Sequence, residues 1–294
     1  MHVLITGAGS FLGKLIIPKI SNSGVNITAI WRNQYPVFAQ IKPYSISLDL
    51  VQGDLIDLNT FEKLPNRVDA IIHIAAVSSN VDSAFDFVQS NIIGMKNLLD
   101  YATKANINCF IYLSSLSIHG LIKDSIVTEN TPIINPSMYG LSKYVAEVLL
   151  SEKCETIHSI ALRLPGVLGI GAHRHWLSTI LSKSINDEDI QIFNPEATFN
   201  NAVHVDDLAD FIVDLLNRNW TGYHAMPLGA EGKLNIIEVV NQIISRAQSG
   251  SQIKIIKEAQ PSFSISSEYA RNNFNYNPMN ILEMINRYVD ENIN

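Results

Sequence analysis

His2-Val3-Leu4-Ile5-Thr6 runs directly into Gly7-Ala8-Gly9-Ser10-Phe11-Leu12-Gly13, and this stretch decides the fold. The first five residues read as a short buried strand, and the apolar periodicity over 12–21 reads as a helix. Between them, glycines spaced G-x-G-x-x-x-G let the backbone turn tightly and come close to a ligand. A helix that starts at such a turn aims unpaired N–H groups and the positive end of its dipole at whatever sits there, which suits a pyrophosphate. Gly7, Gly9, Ser10, Phe11, Leu12 and Gly13 are therefore the expected contacts to a dinucleotide.

Outward from this turn, residues 1–165 alternate short β-rich runs with helical stretches. Strands are expected at 2–6, 26–31, 46–52, 70–74, 109–114 and 159–164, and helices at 12–21, 84–105 and 139–152. The strand runs are apolar on both faces, as in a parallel sheet covered by helices on each side. The expected fold is α/β, a doubly wound parallel Rossmann sheet with a smaller C-terminal substrate-binding lobe. After Leu164 the rhythm breaks, with Pro165, Gly166, Gly169 and Gly171 in close succession. We read 1–165 as the dinucleotide-binding domain, with 202–229 returning to it through a helix at 205–217 and a strand at 223–228. Residues 166–201 and 230–294, with helices at 236–247 and 279–291, form the substrate lobe.

The second strand ends Ala29-Ile30-Trp31-Arg32-Asn33, without the carboxylate that usually grips an unphosphorylated adenosine ribose. Arg32 instead offers a planar cationic fork for a 2′-phosphate, so NADP(H) is favoured over NAD(H). Gly53-Asp54-Leu55 follows the third strand and places a carboxylate and its neighbour where an adenine amino group would lie; a plain turn is the other reading. Further along, Ser114-Ser115 ends the fifth strand and Tyr139-Gly140-Leu141-Ser142-Lys143 opens a helix. Residues four apart share a helix face, which sets a phenol beside an ammonium. A fixed positive charge stabilises the phenolate, so Tyr139 is the expected acid/base, Lys143 its electrostatic partner, and Ser115 a hydrogen-bond donor to the same substrate oxygen.

With these residues in place, the chain resembles the extended branch of the short-chain dehydrogenase/reductase superfamily over nearly its whole length. That branch holds NAD(P)-dependent sugar-nucleotide epimerases, dehydratases and reductases. The resemblance rests on the glycine turn, on Gly53-Asp54-Leu55, His73-Ile74-Ala75-Ala76, Asn91-Ile92-Ile93-Gly94 and Asn97-Leu98-Leu99. It continues through Ser114-Ser115, Tyr139 to Lys143, Arg163-Leu164 and Ala202-Val203-His204-Val205-Asp206-Asp207-Leu208. Two positions depart from the pattern: Ser10 stands where T-G-x-x-G-x-x-G has its middle glycine, and His119 where a tyrosine usually precedes Gly120. The resemblance implies Tyr139 as acid/base, Lys143 lowering its pKa and holding the nicotinamide ribose, and Ser115 polarising the substrate oxygen. It also implies that Ala75, Asn91 and Ser114 line the cofactor, and that the helices at 84–105 and 139–152 form a homodimer.

The family's dehydratases place an Asp-Glu pair directly after the catalytic hydroxyl; Leu116 and Ser117 stand there, so dehydration is set aside. Arg32 tilts the reading toward an NADP-dependent reductase of a 4-keto nucleoside-diphosphate sugar. An NAD-dependent 4-epimerase is the alternative, and a catalytically idle NADP-binding sensor or scaffold the second. In the loop at 169–176, Arg174 and Trp176 are candidates for binding the substrate's diphosphate and base; ordinary packing is the competing reading.

Composition narrows the partners. A formal charge of -7 with scattered basic residues excludes a broad nucleic-acid footprint. Cys109 and Cys154 alone give neither a disulfide framework nor a metal site and point to a reducing compartment. The chain opens in a strand rather than a signal peptide, and the apolar stretch at 70–77 is far short of the roughly 20 residues that span a membrane. A cytoplasmic location without membrane contact is expected.

Overall fold

The computed structural model describes residues 1–36, 47–78, 83–173, 175–258 and 260–293. The chain divides into two compact units. Unit 1 comprises 1–121, 133–163 and 209–226; unit 2 comprises 122–132, 164–208 and 227–294.

Unit 1 is organised by apolar runs too short for helices and flanked by turn residues. β1 is His2–Thr6, followed by helix α1 at Phe11–Ser21, β2 at Asn26–Trp31, β3 at Leu48–Gln52, β4 at Ala70–His73 and β5 at Cys109–Ser115. The seven-stranded sheet runs in the order Tyr223–Pro227, His158–Leu164, β5, β4, β1, β2, β3. β1 pairs parallel with both β2 and β4, with Thr6 opposite Ile30 on one side and His73 on the other. The chain thus winds outward to β3 and then crosses to β4, so the order reverses between β1 and β4. Ligand crevices form at such a reversal, outside the carboxyl ends of the strands. Val3, Leu4, Ile5, Ile71, Ile72, Phe110 and Ile111 are fully buried, as strands with covered faces require.

The helix expected as one piece over 84–105 is three: Ala84–Phe87, a π-helical turn at Val88–Ile93, and Gly94–Lys104. The wider turn coincides with a side-chain commitment at Asn91, whose amide bonds across to Val77 and Ser142. Apolar periodicity does not reveal a π turn, because the flanking helices keep their own faces. The expected strand at 46–52 begins at Leu48; Ile46 lies outside the described residues.

Unit 2 is assembled from two-stranded pieces. Gly166–Leu168 pairs with Ala202–His204, Ile190–Ile192 with Ile253–Ile255, and Thr198–Phe199 with Leu234–Asn235. Ile126–Val127 pairs with Ser264–Ile265, which draws residues 122–132 into this unit. Helices Ile236–Arg246 and Ile281–Ile293 lie side by side, with Gln242 bonded to Asn286 and Arg246 to Asp290. Val239, Val240, Ile243, Met284 and Ile285 are buried on these helices. Among the described residues no helix is long and apolar enough to cross a membrane.

Candidate active site

The glycine turn is a cradle that side chains would fill. Gly7 has φ +81°, and a Cβ there would lie 2.7 Å from the Ala75 nitrogen. A Cβ on Gly9 would lie 2.3 Å from the Gln34 carbonyl oxygen, and one on Gly13 2.2 Å from that of Gly7. Ser10 escapes the requirement: with φ -75° and ψ 165° it sits in extended backbone as the N-cap of α1, its Oγ accepting from the Gly13 nitrogen at 3.0 Å. The departure from the family pattern is therefore a helix cap, which occupies one N–H of the first turn and leaves the turn's shape intact. Phe11, Leu12 and Gly13 form that first turn.

The cleft above it is walled by Gly7, Gly9, Ser10, Arg32, Asp54, Leu55 and Ala75. Arg32 donates to Asp54 at 3.3 Å, with both side chains partly exposed. An exposed pair at this distance is weak, so the guanidinium remains available to an anion. Asp54 is held by Thr60, whose Oγ1 accepts from its nitrogen and donates to its carbonyl. Asn97 donates to the Leu55 carbonyl at 2.9 Å. At the end of β1, Thr6 bonds His73 at 2.7 Å and accepts from the Ala75 nitrogen, fixing the cleft's far wall. A turn with no room for side chains, a helix N-terminus and a wall arginine fit a nicotinamide dinucleotide.

The second half of the site is the helix Met138–Glu152, N-capped by Ser137. Gly140 makes it possible: a Cβ there would lie 2.1 Å from the Ser117 carbonyl oxygen, so the helix rests directly on the turn that follows Ser115. Tyr139 consequently reaches the Ser115 hydroxyl. Asn91 fastens the same helix from the other side, donating to Ser142 Oγ, which donates to the Tyr139 carbonyl at 2.8 Å. Asn91 also takes both polar groups of Val77, so its amide holds the cleft wall and the Tyr139 helix together instead of facing the cleft.

Electrostatics here differ from the sequence-based expectation. Burial raises the pKa of the Tyr139 phenol, opposed only by the Ser115 hydrogen bond. Lys143, 2% exposed, does not end at the phenol: Nζ donates to the Leu113 carbonyl at 2.5 Å and lies 4.3 Å over the Tyr112 ring. Sharing a helix face is not contact, because the longer lysine chain runs inward along β5. Burial pulls its pKa to about 7, with Glu147 opposing. His73 is fully buried and stacked on Tyr112, its pKa lowered to about 3 by burial and by Lys143. Ser114, expected at the cofactor, spends its hydroxyl on Glu147 at 2.5 Å.

Of the loop candidates in unit 2, Trp176 opens the helix Trp176–Ile185 and packs on Phe199 with ring centroids 5.2 Å apart. Arg174 lies outside the described residues. His175 caps its own helix, and burial lowers its pKa to about 4, so it offers no cation. Sequence reasoning passed over Thr6, Tyr112, Ser142 and Glu147. Only Glu147 carried a signal, standing one helical turn beyond Lys143.

Residues 3–229 match the family model described as the NAD dependent epimerase/dehydratase family. The chain is 25% identical over 289 residues to a UDP-glucose 4-epimerase of Lactobacillus helveticus, covering 92% of this chain and 84% of that one. In fold it is similar to the epimerase Mth375 of Methanothermobacter thermautotrophicus, at TM-score 0.82 and 20% identity over 99% of this chain and 91% of that one. It is similar also to a UDP-glucuronic acid 4-epimerase of Bacillus cereus solved with NAD, at TM-score 0.79 and 20% identity over 99% and 98% of the two chains. The glycine cradle, the parallel sheet reversing beside it and the Tyr139 helix are thus the parts of an enzyme, and the chain belongs to the NAD dependent epimerase/dehydratase family.

Proposed function

We propose that this protein is a nucleotide-sugar epimerase that works at a sugar carbinol through a transient keto form, with Tyr139 as acid/base. The observation that carries the reading is the Tyr139 phenol on the Ser115 hydroxyl, one helical turn before a buried lysine and in the same unit as the glycine cradle. A bound nicotinamide would accept a hydride and return it. The chain's own residues do the rest. Ser115 orients the substrate oxygen, Tyr139 takes its proton and gives it back, and Lys143 supplies positive charge behind the phenol. Trp176 is proposed as a contact to the substrate's base and Gly7, Gly9, Ser10, Phe11, Leu12 and Gly13 as contacts to the pyrophosphate. The epimerase relatives favour this outcome over net reduction.

A second reading, an NADPH-dependent reductase of a 4-keto nucleoside-diphosphate sugar, is favoured by Arg32, which lines the cleft in place of a ribose-binding carboxylate. The two are separated by stoichiometry. An epimerase interconverts UDP-glucose and UDP-galactose, or a related pair, without net change in nicotinamide absorbance. A reductase consumes one NADPH per keto sugar. Protein that binds the dinucleotide and does neither across a panel of UDP- and dTDP-sugars and their 4-keto forms would overturn both. A homodimer through the helices at 84–105 and 139–152 remains part of the proposal; a monomeric mass at micromolar concentration would refute it.

A further inference from the structure

Beyond Ser115, Tyr139 and Lys143, the same helix buries a carboxylate. Glu147 is 1% exposed and stands one turn after Lys143, so residues 139, 143 and 147 lie along one face. Its carboxylate is fully engaged. Ser114 Oγ donates to Oε1 at 2.5 Å, Arg163 Nη2 to Oε2 at 2.9 Å, Arg163 Nε to both oxygens at 3.3 Å, and the Tyr223 phenol to Oε2 at 3.1 Å. These donors come from three strands, so the charge is fixed from three directions. β5 addresses both ends of the device: Leu113 holds the ammonium through its carbonyl, and the next residue, Ser114, holds the carboxylate through its side chain.

A buried ammonium that has, among the described residues, one carbonyl acceptor is poorly solvated, and a rigid carboxylate one turn away acts on it through a medium that screens weakly. We propose that Glu147 is a positioning residue for the active site, its locked carboxylate raising the fraction of Lys143 that is charged near neutral pH. The proposal rests on the reading of Tyr139 and Lys143 given above. The groups around Lys143 are Tyr112 of β5, His73 of β4, Tyr139 and Glu147 of its own helix, and, behind the Glu147 carboxylate, the Arg163 guanidinium, whose positive charge opposes part of that carboxylate's effect. The Tyr112 ring face and the Leu113 carbonyl favour the ammonium as neutral groups, and Glu147 is the one anionic group among them. Burial and Glu147 pull the amine's pKa in opposite directions, leaving it at about 7. An Arg163–Glu147 pair that served only as a cross-link between helix and strand would leave that titration alone.

The test is a pH titration of the full-length protein labelled with ¹³Cε-lysine, with the Lys143 resonance assigned by its loss in Lys143→Met. In Glu147→Gln, which keeps an acceptor for Arg163 and Tyr223 but removes the charge, the Lys143 midpoint should fall by at least about one unit. Glu147→Asp should restore most of it. If Glu147→Gln does not fold because Arg163 is left unpaired, Glu147→Gln/Arg163→Met is compared with Arg163→Met, and the Lys143 midpoint should be lower in the double variant, because the pair then differs only in the carboxylate. An unchanged midpoint in folded Glu147→Gln, or equal midpoints in Arg163→Met and the double variant, overturns the proposal. The readout needs neither substrate nor cofactor, so a protein that turns over no nucleotide sugar would sink the proposed function while leaving this measurement to decide the role of Glu147.

Discussion

At the turn over residues 7–13 the site is made of backbone, whereas at the helix Met138–Glu152 it is made of buried side chains. The turn keeps its shape because three Cβ atoms are missing, and what it offers a ligand are N–H donors that no substitution of a distant residue removes. The helix brings Ser115, Tyr139, Lys143 and Glu147 together from two elements, and they are held by partners on β5 itself and on two further strands. The first is robust in shape and generic in chemistry. The second is specific in chemistry and depends on contacts far apart in sequence.

The largest effect should follow from the chemical half. Tyr139→Phe removes only the hydroxyl, and positioned acid/base catalysis is worth on the order of 100- to 10,000-fold. Its kcat should drop by at least the lower figure while the dissociation constant for the dinucleotide, measured by titration calorimetry, stays within about twofold. Near-normal turnover would remove Tyr139 from the reaction and favour the sensor reading.

In the backbone half, the proposed NADPH preference rests on one side chain. Arg32→Asp should weaken NADPH by about 1.5 to 3 kcal/mol, the worth of a charge-assisted phosphate contact, and leave NADH nearly unaffected. Equal affinity of the native protein for NADH and NADPH would show that Arg32 serves Asp54 alone.

Two glycine substitutions sharpen the contrast. Gly9→Ala places a methyl 2.3 Å from the Gln34 carbonyl, and Gly140→Ala one 2.1 Å from the Ser117 carbonyl. Each should cost about 1 to 3 kcal/mol of stability through forced backbone shifts. Gly9→Ala should raise the dinucleotide dissociation constant. Gly140→Ala should lower kcat by lifting Tyr139 from Ser115, with dinucleotide binding retained. The same loss of binding in both would mean that the two halves are not independent.

What could be read in advance divides along the same line. Backbone constraints write themselves into sequence as residue type: Gly7, Gly9 and Gly13 announce the cradle, and apolar runs announce β1, β2, β4 and β5. Strand ends fell within a residue or two because both faces are buried. The π turn at Val88–Ile93 was hidden, since the bonds that accompany it join Asn91 to residues 14 positions back and 51 ahead. The Lys143 geometry was hidden for a related reason. Helical spacing fixes which face a side chain leaves from, and the groups that capture its end, Leu113 and Tyr112, lie 30 and 31 positions away in the chain. In unit 2, strands of two or three residues have too few positions for alternation to register.

The smallest effect concerns stability and isolates the buried amine. Lys143 is fully buried, with a pKa of about 7 in the folded protein against 10.5 for a free lysine. Between those values the unfolded chain binds a proton that the folded chain does not, so this group makes stability rise with pH over that window. Below about 7 both states are protonated and the full penalty of burying the ammonium is present. Lys143→Met removes the titration but also the bond to Leu113, so the offset between the two melting temperatures has no fixed sign, while its slope does. The melting temperature of Lys143→Met minus that of the native protein should decline steadily from pH 7 to pH 10 and be flat from pH 5.5 to 6.5, by scanning calorimetry at constant ionic strength. Burial raises the pKa of Tyr112 and Tyr139 and holds both phenols protonated over this range, so they contribute little to the difference. A difference that is flat across the whole range would mean that Lys143 keeps an ordinary pKa, and the carboxylate of Glu147 would then have nothing to offset.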